Sequence, residues 1–243
     1  MITTVPLPSW RELATSFAGQ RPNDNDLAGP WKRGTEQAFW FSRAAWALKI
    51  LVLWCAKTKG IENPVLWLPD YFCNQSTLPA RDAGAQLIFY PIGPDLEPDW
   101  TACDTLAKMG NPDLFVLVHY FGKPADGEKA RSFCDKVEAS LIEDAAHVLG
   151  PIDDIGRYGD FIFYSPYKTF PVPDGAVLLV RDTSAATSIS QITPSLPYNA
   201  PSPWAWRMKR ILQKILPASL LEKRARNRRP NFNDDPPLTP LAL

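Results

Sequence analysis

Residues 114–181 read LFVLVHYFGKPADGEKARSFCDKVEASLIEDAAHVLGPIDDIGRYGDFIFYSPYKTFPVPDGAVLLVR, and this stretch decides the fold. LFVLVH at 114–119, SLIED at 140–144, DFIFYS at 160–165 and AVLLVR at 176–181 are short runs rich in β-branched and aromatic residues. They are apolar along most of their length, the pattern of strands buried on both faces of a sheet. Between the first two, Ala125 to Ala139 sets Ala130, Phe133, Cys134 and Val137 on one helical stripe. Toward the N-terminus the alternation continues, with strands predicted at AFWF 38–41, VLWLP 65–69 and QLIFYP 86–91. Helices are predicted at Arg43 to Lys59, stopped by Gly60, and at Asn74 to Asp82, stopped near Gly84. The class is therefore α/β, a mostly parallel sheet flanked by helices, within a domain spanning 1–183 whose core is 38–181. Beyond Thr183 the composition turns to Ser, Pro, Asn and Thr. Residues 184–243 read as a Pro-rich linker, an amphipathic basic helix from Trp204 and a loose tail.

At 243 residues one large domain is favoured over two small ones. Basic and acidic residues number 26 each, so no global field draws the chain to nucleic acid or to an anionic membrane. The four cysteines are dispersed, without a CxxC pair or clustered histidines. They read as reduced thiols of a cytoplasmic protein, and no metal site is expected. The N-terminal MITTVPLPSWRELATSF lacks a basic segment leading into an apolar one, so no secretory signal is expected. Arg43 and Lys49 interrupt the apolar run 38–56, which falls short of the roughly 18 uncharged residues of a membrane span.

Three patterns carry chemistry. Lys168 follows a strand end and precedes a Pro- and Gly-containing turn, so its amine is presented from a loop at the sheet edge, where it can form an imine. The alternative is an ordinary exposed loop lysine. Glu143 and Asp144 close an apolar strand and are followed by small residues and His147. A buried carboxylate needs a cationic partner, and Asp144 suits a protonated pyridine nitrogen; otherwise it caps a following helix. His147 could stack on or hydrogen-bond the same ring, or be purely structural. In AFWFSRAAWALKIL, Ser42 stands where a strand meets a helix. Its hydroxyl and the N–H groups of Arg43 and Ala44 would cradle a phosphate, although a plain serine N-cap looks the same. An imine-forming lysine, an acid for a pyridinium and an anion cradle together match pyridoxal 5′-phosphate (PLP).

SRAAWAL, LPDYFCNQSTLPARDAGAQLIFYPI, VHYFGKPAD, IEDAAHVLG, GDFIFYSPYK and DGAVLLV occur in that order across residues 38–180. This series resembles the DegT/StrS family of PLP-dependent sugar aminotransferases. The resemblance implies the large domain of fold-type I, with Lys168 as the Schiff-base lysine and Asp144 paired with the pyridinium. It implies that His147 takes the place of a glutamine beside the cofactor's 3-hydroxyl. It also implies that Phe163 stands where a phosphate-binding serine is usual, leaving Ser165 as the nearest hydroxyl. The stacking aromatic falls at Phe72 or Tyr71, with Cys73 at the commonest register. The partners it implies are a small-molecule amino donor, typically glutamate, and a keto-sugar acceptor on a nucleotide diphosphate, handled by a homodimer. Dehydratase relatives carry histidine in place of the lysine, which Lys168 argues against.

The family usually continues into a smaller C-terminal domain, which is expected to be missing here, so a catalytically silent assembly or binding subunit is an alternative reading, and a PLP-dependent sugar dehydratase or lyase is a third. The segment 204–229, WAWRMKRILQKILPASLLEKRARNRR, pairs apolar with basic residues. It is expected chiefly to pack on the domain or on a partner subunit, with contact to an anionic membrane surface or to a phosphate as the other options.

Overall fold

The computed structural model describes residues 7–18, 23–195 and 203–216. Its elements run α1 (Trp10–Ala18), α2 (Asp24–Leu27), β1 (Gln37–Phe41), α3 (Ala44–Lys59), β2 (Val65–Pro69), α4 (Asn74–Asp82) and β3 (Gln86–Tyr90). They continue α5 (Trp100–Ala107), β4 (Leu114–Val118), α6 (Gly127–Val137), β5 (Ser140–Ala145), β6 (Phe161–Tyr164), β7 (Ala176–Val180), α7 (Thr183–Ile192) and α8 (Pro203–Ile215). Each run predicted as a strand is one. The strands form a seven-stranded sheet in the order β1-β7-β6-β5-β4-β2-β3. All neighbours pair in parallel except those of β7, which is antiparallel to both β1 and β6. A short loop joins β6 to β7, too short to hold a crossover helix, and that permits only the antiparallel return.

Side-chain alternation divides the core into two faces. Leu66, Leu68, Leu114, Val116 and Ile142 pack toward α3, while Trp67, Phe115, Leu117 and Leu141 pack toward α6. Because α3 is covered by α4, α7 and the sheet, it is apolar nearly all round, with Ala47, Leu48, Ile50, Leu51, Val52 and Cys55 buried. It ends at Gly60 in the left-handed conformation, which closes the helix without a Cβ penalty.

The N-cap of α3 is Arg43 rather than Ser42. Ser42 lies one residue outside the helix, and its carbonyl accepts from Gly175 N at 3.2 Å. Four helices are not predicted from the sequence: α1, α2, α5 and α7, of which α2 is a single turn capped by the Asn23 side chain. α1 opens with a reciprocal capping box, in which Glu12 Oε2 accepts from Ser9 N at 2.5 Å and Ser9 Oγ from Glu12 N at 3.1 Å. α5 and α7 start at Asp99 and Asp182, each accepting from a backbone N–H in the first turn. α7 begins where the composition changes and buries Ala185, Ala186 and Ile189 in the α3 core, so ordered packing reaches beyond 183. The tail predicted to be loose, 227–243, lies outside the described residues.

Candidate active site

A cavity of about 840 Å³ opens at the C-terminal ends of β4, β5 and β6, where open α/β sheets place their ligands. Asp144, Lys168, His147, Ser165, Phe72, Arg43 and Ala44, all expected at the site from sequence, line it; Ser42 does not. The Ser42 hydroxyl is buried without a hydrogen-bond partner among the described residues. Its neighbour Arg43, whose side chain faces the cavity and lies 4.2 Å over the Tyr167 ring, stands at the head of α3 instead.

Asp144 sits near the end of β5, 8% exposed. No helix follows it, so the helix-capping alternative fails; the side chain folds into its own turn and accepts from Ala146 N at 2.8 Å. Burial pushes the Asp144 carboxyl above its ordinary value, and the Ala146 N–H and the nearby charge of Lys168 offset this only in part. Among the described residues Asp144 makes no ion pair. It is therefore an anionic site whose strongest complement would come from a ligand cation.

Lys168 ends a 3-10 turn, Pro166–Lys168, directly after β6, and its side chain is exposed at the cavity. The turn is fixed by Lys168 N donating to Ser165 O at 2.9 Å. His147 is held low by burial and by the Lys168 charge, against the pull of Asp144, so at neutral pH it is an uncharged imidazole. Phe121 N donates to its Nδ1 at 3.4 Å, and the Phe121 and His147 rings stack at 5.7 Å with an interplanar angle of 13°. Tyr71 stacks on Tyr120 at 5.6 Å, and Tyr120 Oη donates to Tyr71 O at 2.6 Å. Tyr71, Tyr120, Phe121 and His147 thus form a continuous aromatic wall. Phe121 adopts φ 55°, a left-handed conformation disfavoured for a bulky residue, while 70% exposed.

Tyr120, Phe121 and Trp46 were missed in the sequence. YFG after an apolar strand carries no periodic signal, and Trp46 reads as one more apolar residue of α3. The other acid of the pair, Glu143, points to the opposite face of β5 and has a different role. It is fully buried and accepts from four donors: His119 Nε2 at 2.8 Å, Gly156 N at 2.6 Å, Tyr158 N at 2.7 Å and Gly159 N at 2.5 Å. Ala125 N donates to His119 Nδ1 at 3.0 Å, so the imidazole proton resides on Nε2 and faces Glu143. Burial pushes the Glu143 carboxyl up, but the His119 contact and the N–H groups of Gly159 and Gly156 outweigh it and hold it low. One strand thus supplies a carboxylate to the cavity and another to the scaffold.

The residues fit PLP. A buried carboxylate makes no ion pair among the described residues, an exposed lysine shares its cavity, and the N–H groups at the head of α3 have no acceptors within the helix. The wall also holds two buried polar atoms, Ser165 Oγ and Trp46 Nε1, without a hydrogen-bond partner among the described residues. Among the described residues, no three His, Cys, Asp or Glu side chains come together to hold a metal.

The fold is that of the large domain of solved PLP-dependent aminotransferases. A sequence model of the DegT/DnrJ/EryC1/StrS aminotransferase family matches residues 111–194, which include Asp144, His147, Ser165 and Lys168, and the chain resembles that family in sequence and shares its fold. The aminotransferase TlmJ from Streptoalloteichus hindustanus superposes with a TM-score of 0.63 at 22% identity, over 77% of this chain and 55% of that one. DesI, solved in the presence of its TDP-sugar product, gives a TM-score of 0.55 at 25% identity, over 70% of this chain and 43% of that one. A serine hydroxymethyltransferase from Methanocella arvoryzae is 35% identical over 98 residues, 38% of this chain and 22% of its own length. The chain spans about a fifth of that curated relative and about half of the solved aminotransferases. Both enzyme types are PLP-dependent.

Proposed function

We propose that the chain is the cofactor-binding domain of a PLP-dependent aminotransferase that moves an amino group, with glutamate as donor, onto a keto sugar carried by a nucleotide diphosphate. The observation that carries this reading is Asp144, a buried carboxylate without an ion pair among the described residues, in the same cavity as Lys168. The product named for the DesI structure, a TDP-sugar, supports the acceptor class. A cytoplasmic homodimer is the form we propose for it.

When bound, PLP supplies an electron sink that stabilises negative charge at the carbon bearing the donor nitrogen. The chain's own groups do the rest. Lys168 Nζ would hold the cofactor covalently and, once displaced by the donor amine, carry the proton removed from that carbon. Asp144 would hold the pyridine nitrogen protonated. The N–H groups of Ala44 and Ala45 and the guanidinium of Arg43 would bind the phosphate, which favours a helix N-terminus. Neutral His147 would hydrogen-bond the ring's hydroxyl, and Phe72 or Tyr71 would shield the ring from water. Phe163, 1% exposed, cannot replace a phosphate-binding serine, so Ser165 is the remaining hydroxyl on that side.

The direct test is titration with PLP followed by borohydride reduction and peptide mapping. Covalent label on Lys168, lost in Lys168→Ala, is expected; label scattered over other lysines would refute the assignment. Incubation of the loaded protein with glutamate and a TDP-keto-sugar should yield an amino sugar by mass spectrometry. Failure with a broad panel of donors, in a protein that still labels at Lys168, would favour a silent cofactor-binding subunit.

A further inference from the structure

Helix α8 is anchored on α1, and its Trp206 and Arg207 line a cavity shared with the Phe170–Pro173 loop. Arg207 donates to the carbonyl of Ser16 and, at 3.1 Å, to its hydroxyl, and Trp204 meets Phe17 edge-on at 5.8 Å. Lys214 Nζ lies 5.3 Å from the Trp10 ring centre. With these contacts made, no residue of α8 with a described side chain is fully buried. Its outward stripe, spaced at positions 204, 208, 212 and 215, leaves Trp204 59%, Leu212 43% and Ile215 65% exposed. Trp10, on α1, is 56% exposed. Lys209 is exposed beside the stripe, and α8 carries Arg207, Lys209, Arg210 and Lys214 but no acidic residue.

We infer that the paired helices α1 and α8 form a docking face for an anionic lipid surface, with the Trp204, Leu212 and Ile215 stripe entering the headgroup boundary and the lysines contacting lipid phosphates. A basic helix with an apolar outer face and a tryptophan at its edge has the composition of an in-plane membrane helix. The charge argues against a second copy as occupant, because a two-fold contact would bring this acid-free helix against itself. No helix among the described residues is long and apolar enough to cross a membrane, so the contact is peripheral. In sequence the helix is followed by Lys223, Arg224, Arg226, Arg228 and Arg229 against the single acid Glu222, which continues the same bias.

The full chain would be sedimented with vesicles of phosphatidylcholine alone and of phosphatidylcholine mixed equally with phosphatidylglycerol. Binding to the anionic vesicles should exceed that to the neutral ones on the order of tenfold or more at low salt and weaken as salt is raised. Ile215→Glu and Lys209→Glu, both exposed and so harmless to the fold, should each reduce it by several-fold. Equal binding to both vesicle types, no binding, or binding indifferent to Ile215→Glu would overturn the inference. So would a concentration-dependent dimer that Ile215→Glu dissociates. The readout is independent of PLP, so failure of the cofactor assignment leaves this test intact.

Discussion

Replacing Glu143 by Gln isolates the scaffold from the chemistry, because it preserves volume and removes only charge and acceptor capacity. Each Glu143 oxygen accepts from two donors, Oε1 from Tyr158 N and Gly159 N, and Oε2 from His119 Nε2 and Gly156 N. A glutamine keeps one oxygen and turns an NH2 toward the other pair, leaving two buried donors unmatched. His119 cannot rescue its side by changing tautomer, since its Nδ1 already accepts from Ala125 N at 3.0 Å. At about 1–3 kcal/mol for each unsatisfied buried donor, the loss is about 2–6 kcal/mol, a large part of a domain's stability. Urea denaturation at neutral pH, comparing midpoints at equal slope, measures it. A loss under about 1 kcal/mol would refute the reasoning, because it would mean that the 156–159 loop finds its acceptors elsewhere. The pH dependence has a definite sign. The folded-state pKa of Glu143 lies below its unfolded value, so its contribution is present above the ordinary carboxylate range and is lost as pH falls through the depressed pKa. Glu143→Gln should therefore flatten the acid limb of the stability profile.

Asp144→Asn should act in the opposite sense on the ligand-free protein. The folded pKa of Asp144 lies above its unfolded value, so stability falls as pH rises between the two, and the substitution should remove that decline while weakening PLP binding on the order of tenfold or more. Unchanged PLP affinity would separate Asp144 from the cofactor. Phe121→Gly relieves the φ 55° strain and should leave thermal stability unchanged or raise it by about 1 kcal/mol, where a residue placed for packing would lose stability. Gly159→Ala would set a Cβ 2.7 Å from the Phe161 carbonyl oxygen and 3.1 Å from Glu143 Cγ. It should destabilise by about 2 kcal/mol or more in the same urea assay.

Much of the fold is legible along the chain. The seven apolar runs are strands because a strand buried on both faces must be apolar at nearly every position, and such runs need no knowledge of their neighbours. α1, α5 and α7 are not predicted although their caps are present at Ser9 with Glu12, at Asp99 and at Asp182 and α1 sets Trp10, Leu13 and Phe17 at helical spacing; at 9, 8 and 10 residues they are short enough to read as parts of loops. At the site, Lys168 and Asp144 stand beside strand ends and could be singled out by type and position. Phe121 and Trp46 could not, because their places on the cavity depend on how separate strands and helices meet.

The contrast is sharpest at Glu143 and Asp144. Sequence alone determines that two acids close a buried strand, that an amine follows the next strand, and that the alternation of strands and helices makes an α/β sheet. It does not determine which acid faces which side, since that is set by the strand's pairing with β4 and β6 and by which layer of helices covers each face. Side chains of neighbouring strand residues point in opposite directions, so the same dipeptide gives one carboxylate to His119 and the 156–159 loop and the other to the cavity of Lys168. The exposed stripe of α8 was likewise decided only in three dimensions. Amphipathicity predicts a helix with an apolar face, but only its contacts with α1 show that this face remains turned outward.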